Sequence, residues 1–504
     1  MASKIDRGSG LTPSEELLTK IADQTFLDLW SWPNVYKSPG KELCDLLAVC
    51  GDDVVIFSDK SIEWPSGNTE VAWTRWYRRA IAKSVDQIRG AARWLQNNPR
   101  EIYADAKCGQ RMPVELPPPE RRRVHGICVA LGAEKAASAY FGDPDGTFMI
   151  VPHLKGDDHI DFQMAGHQPF SIGDIDPAAP FVHVFNQQTL LIVMNELDTI
   201  ADFTAYLAAR EELIRSGRLT LSPSEMEMLA NYILTMRDGF HAFPRAEDIG
   251  APSHTTLAFM QGDYDGLRHR PEYQLRHHAN RVSYVWDRTI KRFTEHVLKG
   301  TSYRILKIDP NVELAERALR MMAREDRLRR RALGHALLGA LSVLEEQKKD
   351  RMARIVMPNA GSTDPDLAYV FMALSNKTQP DYKVYRDVRA LMLETYCLAT
   401  LHDHRELKRC VGLAVNALSD EDGSEDLIAI EQSCWSRDEV DDLRRSREHY
   451  EILRDPSKLS QSHFHTTEFP NDPAAPRVSR QQRRAEERAK RKQARRHQGK
   501  YSHK

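Results

Sequence analysis

Apolar positions along the chain follow two periods. Between Ser14 and Trp30, Leu17, Leu18, Ile21, Phe26 and Leu29 recur at mostly helical spacing behind Pro13, which predicts a first helix. Trp32, Pro33, Asn34, Pro39 and Gly40 break it. Leu43 to Val49 and Val54 to Phe57 are short apolar runs on either side of Gly51-Asp52-Asp53, the signature of a β-hairpin. Trp73 to Asn97 reads as a second amphipathic helix, closed by Asn98-Pro99. Past a proline-rich linker, Pro113 to Pro119, strands are expected over Val124 to Val129, Thr147 to Pro152 and Val182 to Met194. The last of these is read as a hairpin turning at Asn186-Gln187-Gln188. From Glu196 onward the pattern is helical, over 196–217, 222–239, 272–298, 311–354, 383–401 and 436–453, with breaks at Pro252, Pro271, Pro310 and Pro358. No fixed-period repeat runs through it.

These shifts divide the chain into an α/β core at 13–110, a small α+β segment at 111–215, a large mostly α-helical region at 216–455, and a linker with a basic tail at 456–504. A length of 504 residues exceeds what one core ordinarily serves. With 41% hydrophobic and 28% charged residues the composition is that of a soluble globular protein. No apolar run approaches the ~18 residues of a membrane span, and Met1 to Gly10 lacks the apolar stretch of a secretory signal. The seven cysteines (Cys44, Cys50, Cys108, Cys128, Cys397, Cys410, Cys434) are scattered and include no CxxC pair, which suits a reducing cytoplasm and offers no zinc framework. Charge is uneven: Arg477 to Lys504 holds twelve Lys or Arg against two Glu, a local +10 in a chain of net −1. Such a tail is expected to be disordered alone and to favour a polyanion.

The stretch that carries chemistry is the predicted hairpin. On its second strand Val54, Ile56, Ser58 and Lys60 share one face. Closure at Gly51 to Asp53 carries Asp45, at the start of the first strand, towards Ser58 and Lys60. A carboxylate beside a lysine at a strand end is a place for a divalent cation and an attacking water. An Asp and a Lys near a hairpin are also commonplace, and alone would more often be a surface salt bridge.

The arrangement resembles the PD-(D/E)XK nuclease superfamily, particularly its restriction-endonuclease-like and nuclease-related members. Those show a helix with a Glu, a strand with an Asp, a second strand ending in (D/E)-x-K, and a following helix. Here the first helix offers Glu15 and Glu16, the strand offers Asp45, the second strand ends Ser58-Asp59-Lys60, and the following helix carries Gln87. The resemblance covers about residues 13–98. It implies a restriction-endonuclease-like core that uses Mg²⁺, or Mn²⁺, to hydrolyse phosphodiesters of DNA ahead of RNA, in the manner of bacterial defence or repair enzymes. Asp45 with a partner acid would hold the ion, Lys60 would orient or deprotonate the water, and Gln87 would position the water or a phosphate. One departure stands out: the second acid of the pattern falls at Ser58, and serine is a poor magnesium ligand. Asp59 reaching in through a bulge, or Glu16 or Glu42 supplying the charge, would keep the site active. Otherwise the chain keeps the fold as a nucleic-acid-binding or scaffold protein.

Other clusters carry weaker signals. Arg75, Arg78 and Arg79 surround Trp73, Trp76 and Tyr77, which suits phosphate contacts over an aromatic core. Arg320, Arg324, Arg327 and Arg331 recur at helical spacing, either along a nucleic-acid backbone or as a solvated face paired with Glu313, Glu316 and Glu325. His153, His159, Asp161 and His167 fit no zinc spacing and read as a polar loop, and His269, His277, His278 and His463-x-His465 are no stronger. Cys44 reads as a buried small hydrophobe. The helical region is expected to hold a substrate, an activator, a partner protein or a second copy of the chain.

Overall fold

A computed structural model describes residues 5–299, 312–359, 362–377, 381–420, 423–454, 460–461 and 466–470. The basic tail and His463 and His465 lie outside the described residues. The protein is a mixed α/β structure. The first helix, α1 (Pro13–Thr25), begins where Thr12 Oγ1 accepts from the Glu15 amide (3.3 Å) with Pro13 in its first turn. Leu18, Ile21 and Ala22 line its buried side. Three antiparallel strands follow, β1 (Ser31–Ser38), β2 (Lys41–Cys50) and β3 (Asp53–Ser61). The stretch read as a break, Trp32-Pro33-Asn34, is therefore a strand. It tolerates Pro33 because β1 is the edge of its sheet, where no neighbour needs the missing N–H.

The predicted hairpin is present: β2 and β3 pair from Leu46–Phe57 to Cys50–Asp53, with Gly51 at φ +64° in the turn. The second helix comes in two pieces, α2 (Thr69–Tyr77) and α3 (Lys83–Asn97), joined without a break by a π-helical turn at Arg78–Ala82. After them come β4 (Arg123–Leu131), α4 (Glu134–Phe141), β5 (Met149–Lys155), β6 (Ser171–Asp174) and β7 (Val182–Phe185). Of these, β4 and β7 add in parallel to the first sheet. Its order is β1-β2-β3-β4-β7, so it draws strands from both sides of residue 110, while β5 and β6 pair separately. Val182 to Met194 is not a hairpin. Asn186 caps α5 (Gln187–Glu196) by accepting from the Thr189 amide (2.8 Å), so its turn chemistry starts a helix instead of reversing a strand.

Helices and short strands follow: α6 (Ile200–Arg215), β8 (Leu219–Leu221), α7 (Glu225–Leu234), β9 (Met236–Arg237), β10 (Phe240–His241), β11 (Leu257–Ala258), α8 (Asp263–Arg268), α9 (Pro271–Asn280) and α10 (Tyr284–Lys299). The expected continuous helix over 311–354 is instead α11 (Val312–Ala323), α12 (Arg327–Glu346, capped by Asp326) and a strand, β12 (Arg351–Val356). The mostly helical reading of 216–455 is corrected here by a second sheet. Strands β12, β13 (Leu367–Leu374), β14 (Arg409–Asn416) and β15 (Glu425–Glu431) pair in that order, with α13 (Tyr382–Asp403) crossing between parallel β13 and β14 and α14 (Arg437–His449) after them. One apolar core runs from Leu18 through both sheets to Leu413. Trp30 Nε1 donates to Glu316 Oε1 (2.8 Å) and Tyr369 OH to Glu325 Oε1 (2.8 Å), so α11 and the turn after it bind the two sheets together. No helix among the described residues is long and apolar enough to cross a membrane.

Candidate functional site

The site forms where β2 and β3 part. Their ladder ends at Leu46–Phe57, and the next carboxylate takes over the work of the ladder: Asp45 Oδ2 accepts from the backbone N–H of Asp59 at 2.5 Å. The other oxygen, Oδ1, accepts from Gln87 Nε2 on α3 (3.4 Å). Gln87 is fixed in turn by the Ser58 hydroxyl, which donates to its Oε1 (3.2 Å) and lies 3.3 Å from Ser84 Oγ. Ser58 thus faces α3, and Asp59, one residue on, faces α1, where Ser14 favours the ionised form of its carboxylate. Asp59 is 8% exposed, yet its Oδ1 has no hydrogen-bond partner among the described residues.

A second pair of carboxylates adjoins this one. Asn34, buried on β1 at φ +46°, donates from Nδ2 to Glu42 Oε1 (2.7 Å) and Glu15 Oε2 (3.0 Å). Burial and crowding show in the protonation of the acids. Asp59 is pushed up to about 6 by burial first and by the charges of Asp45 and Glu15, against the pull of Ser14 and Lys60. Burial also raises Asp45, opposed by the Asp59 amide, Lys60 and Gln87, and raises Glu42, with Asp45 and Glu15 adding to it. Lys60 is half-buried and makes no ion pair among the described residues, so the cluster holds more negative charge than its one amine offsets.

The structure therefore brings together Asp45, Ser58, Asp59, Lys60, Gln87 and Glu42. The helix acid that reaches them is Glu15 and not Glu16, which is exposed and acts on none of them. Asn34 escaped the sequence reading because it stood in an apparent loop; its neighbour Pro33 masked the strand that positions it.

Among the described residues no three His, Cys, Asp or Glu side chains cluster tightly enough to hold a metal ion by themselves. Mg²⁺ asks for less, commonly one or two carboxylates completed by water. Asp59 leaves one such ligand open: its buried Oδ1 lacks a partner among the described residues, and Asp45 and Glu15 repel its charge. Burying that oxygen without a donor is costly, and a cation is one way to satisfy it.

Arg75, Arg78 and Arg79 are exposed on α2 and its π-helical extension, over buried Trp73, Trp76 and Tyr77. The arginine stripe at 320–331 is interrupted by the end of α11. Arg327, Arg330 and Arg331 are buried, with Arg327 bound to Asp198 and Asp287 (both 2.7 Å), so these three face the protein interior. His159 is structural: Nδ1 lies 2.7 Å from the Gly156 carbonyl and Nε2 accepts from the Gly173 amide (2.9 Å). His153 and His167 are ring neighbours at 5.8 Å. Cys44 is fully buried with its thiol pushed well up by burial, which leaves it no nucleophilic role. No family model, curated protein or solved structure matches the chain.

Proposed function

We propose that the chain is a divalent-cation-dependent nuclease of the PD-(D/E)XK type, hydrolysing phosphodiester bonds of nucleic acid, DNA ahead of RNA. The observation that carries this reading is the unpartnered, buried Asp59 Oδ1, on a carboxylate that feels the charges of Asp45 and Lys60. The order α1, three antiparallel strands, α2–α3 and a parallel β4 supports it. Asp45 and Asp59 would hold Mg²⁺ or Mn²⁺, which when bound acidifies water and neutralises phosphate charge. Gln87 and the Asp59 amide fix the Asp45 carboxylate, so its orientation is set before substrate arrives. Lys60 supplies the one positive charge of the cluster and would orient the water and stabilise charge on the phosphate in the transition state. In this reading Asp59 takes the acid role that Ser58 lacks.

A second reading has its own observation. The Ser58 hydroxyl is buried and bonded to Gln87 and Ser84, a fully satisfied polar contact that suits a fold kept without chemistry. Purified protein given plasmid, linear and single-stranded DNA and RNA with Mg²⁺ or Mn²⁺ separates the two. Cleavage that disappears in Asp45→Ala and Lys60→Ala, with circular dichroism unchanged, supports the nuclease. No cleavage of any substrate with either ion leaves the scaffold.

A further inference from the structure

Gln87 ends a row of cations. Arg75, Arg79 and Lys83 precede it at intervals of four residues, the spacing that stacks side chains along one helix face. The π-helical turn at Arg78–Ala82 bonds residue i to i+5 and so holds an extra residue, which brings Arg78, five residues before Lys83, to the flank of the same row. From Arg75 to Gln87 the row covers about 18 Å of helix. All four cations are exposed, and none forms a hydrogen bond or ion pair with a described residue. Cations that form no ion pair over that length complement a chain of phosphates.

An aromatic cluster packs under the same helix. Trp76, next to Arg75, holds its ring 6.2 Å from that of Trp64, in the loop that follows Lys60. Trp64 stacks on Phe170 at 5.1 Å, and Tyr140 packs on the same Phe170 at 5.5 Å. Phe170 is fully buried, Trp64 is half-buried and Tyr140 is 44% exposed, so two rings with open surface share one buried support. Open aromatic faces beside a cationic track bind unpaired bases, whose π-faces are free; the bases of a duplex are already stacked on each other.

We propose that this face binds single-stranded nucleic acid, with phosphates along Arg75, Arg78, Arg79 and Lys83 and bases on Trp64 and Tyr140. The inference rests on the hydrolase reading of Asp45 and Lys60 for the fate of the bound strand, and it narrows that reading to unpaired substrate.

Binding is measured on the full chain by fluorescence anisotropy in EDTA, so that it does not depend on cleavage. The probes are a short mixed-sequence oligonucleotide, as DNA and as RNA, and the duplex of the same sequence. The single strand should bind at least about tenfold more tightly than the duplex. Tyr140→Ala, at an exposed position, should weaken single-strand binding by about tenfold, and Trp64→Ala by as much, its fold checked by thermal melting. Arg79→Glu with Lys83→Glu should flatten the dependence of log K on log salt by about 0.7 for each phosphate no longer neutralised. Equal affinity for the duplex, an unchanged salt slope in the charge reversals, or displacement of the oligonucleotide by polyglutamate at equal charge concentration would each overturn the proposal. Tight single-strand binding with no cleavage on adding Mg²⁺ removes the hydrolase and leaves the binding face standing.

Discussion

Asp59→Asn separates a cation site from an ordinary buried acid. The substitution keeps the shape of the side chain and an oxygen for Ser14, and removes only the charge. In the folded protein Asp59 holds its proton up to about 6, against 3.8 for an unperturbed aspartate. A raised acid binds more protons folded than unfolded. Its ionisation therefore costs nothing below the unfolded value, costs progressively more as pH rises between the two, and costs the full amount above the folded value. The difference corresponds to about 3 kcal/mol at neutral pH. In EDTA at neutral pH, Asp59→Asn should thus be more stable than wild type by up to about 3 kcal/mol, a difference that shows as a higher melting temperature. Below about pH 3 the two should converge, because Asp59 is then neutral in the unfolded chain as well. Adding Mg²⁺ should reverse the order. A ligand at a thousandfold excess over its Kd stabilises by about 4.1 kcal/mol, more than the burial cost, and only wild type has the full ligand set. Differential scanning calorimetry across pH, with and without Mg²⁺, reads all three. A variant no more stable than wild type at neutral pH would refute the burial cost. Equal stabilisation of both proteins by Mg²⁺ would refute the placing of the cation at Asp59.

Two further substitutions test the frame around that cluster. Asn34→Ala removes the amide shared by Glu15 and Glu42, and it also places a residue with no affinity for positive φ at +46°. Thermal melting should show a loss of about 1–3 kcal/mol, and Asn34→Gly, which accepts the backbone conformation, should recover only the conformational share. Arg210→Met strands Glu225, which Arg210 meets at 2.8–3.0 Å in full burial while Tyr206 donates to the same carboxylate. A loss of about 3–5 kcal/mol is expected, and the double variant Arg210→Met with Glu225→Gln should recover part of it; melting temperatures of the three proteins give the comparison.

What could be read in advance was whatever local sequence decides. Leu43 to Phe57 announced its hairpin because Gly51 marks the turn, and the turn sets the register that carries Asp45 to the end of β3. The second sheet was hidden for a physical reason: Leu367 to Leu374 is buried at all but its last position, and an uninterrupted apolar run has no period to tell strand from helix. The buried arginines misled because their partners lie far off in sequence, as Asp198 does for Arg327. Between Glu15 and Glu16 the choice turned on the start of α1. Neighbours on a helix point about 100° apart, so only the cap at Thr12 decides which of them faces β2. Strand parity was legible, and it has a consequence that the position of Ser58 in the nuclease pattern obscures. Ser58 and Asp59 face opposite sides of β3, towards α3 and α1, while Asp45 sits at the parting of the strands and touches both. An acid returned to position 58 would be buried against Ser84 and Gln87, on the far side of the strand from the oxygen that lacks a partner. The serine is therefore compatible with a working site, provided that the charge has moved with Asp59 to the side of the sheet where Glu15 and Glu42 already gather.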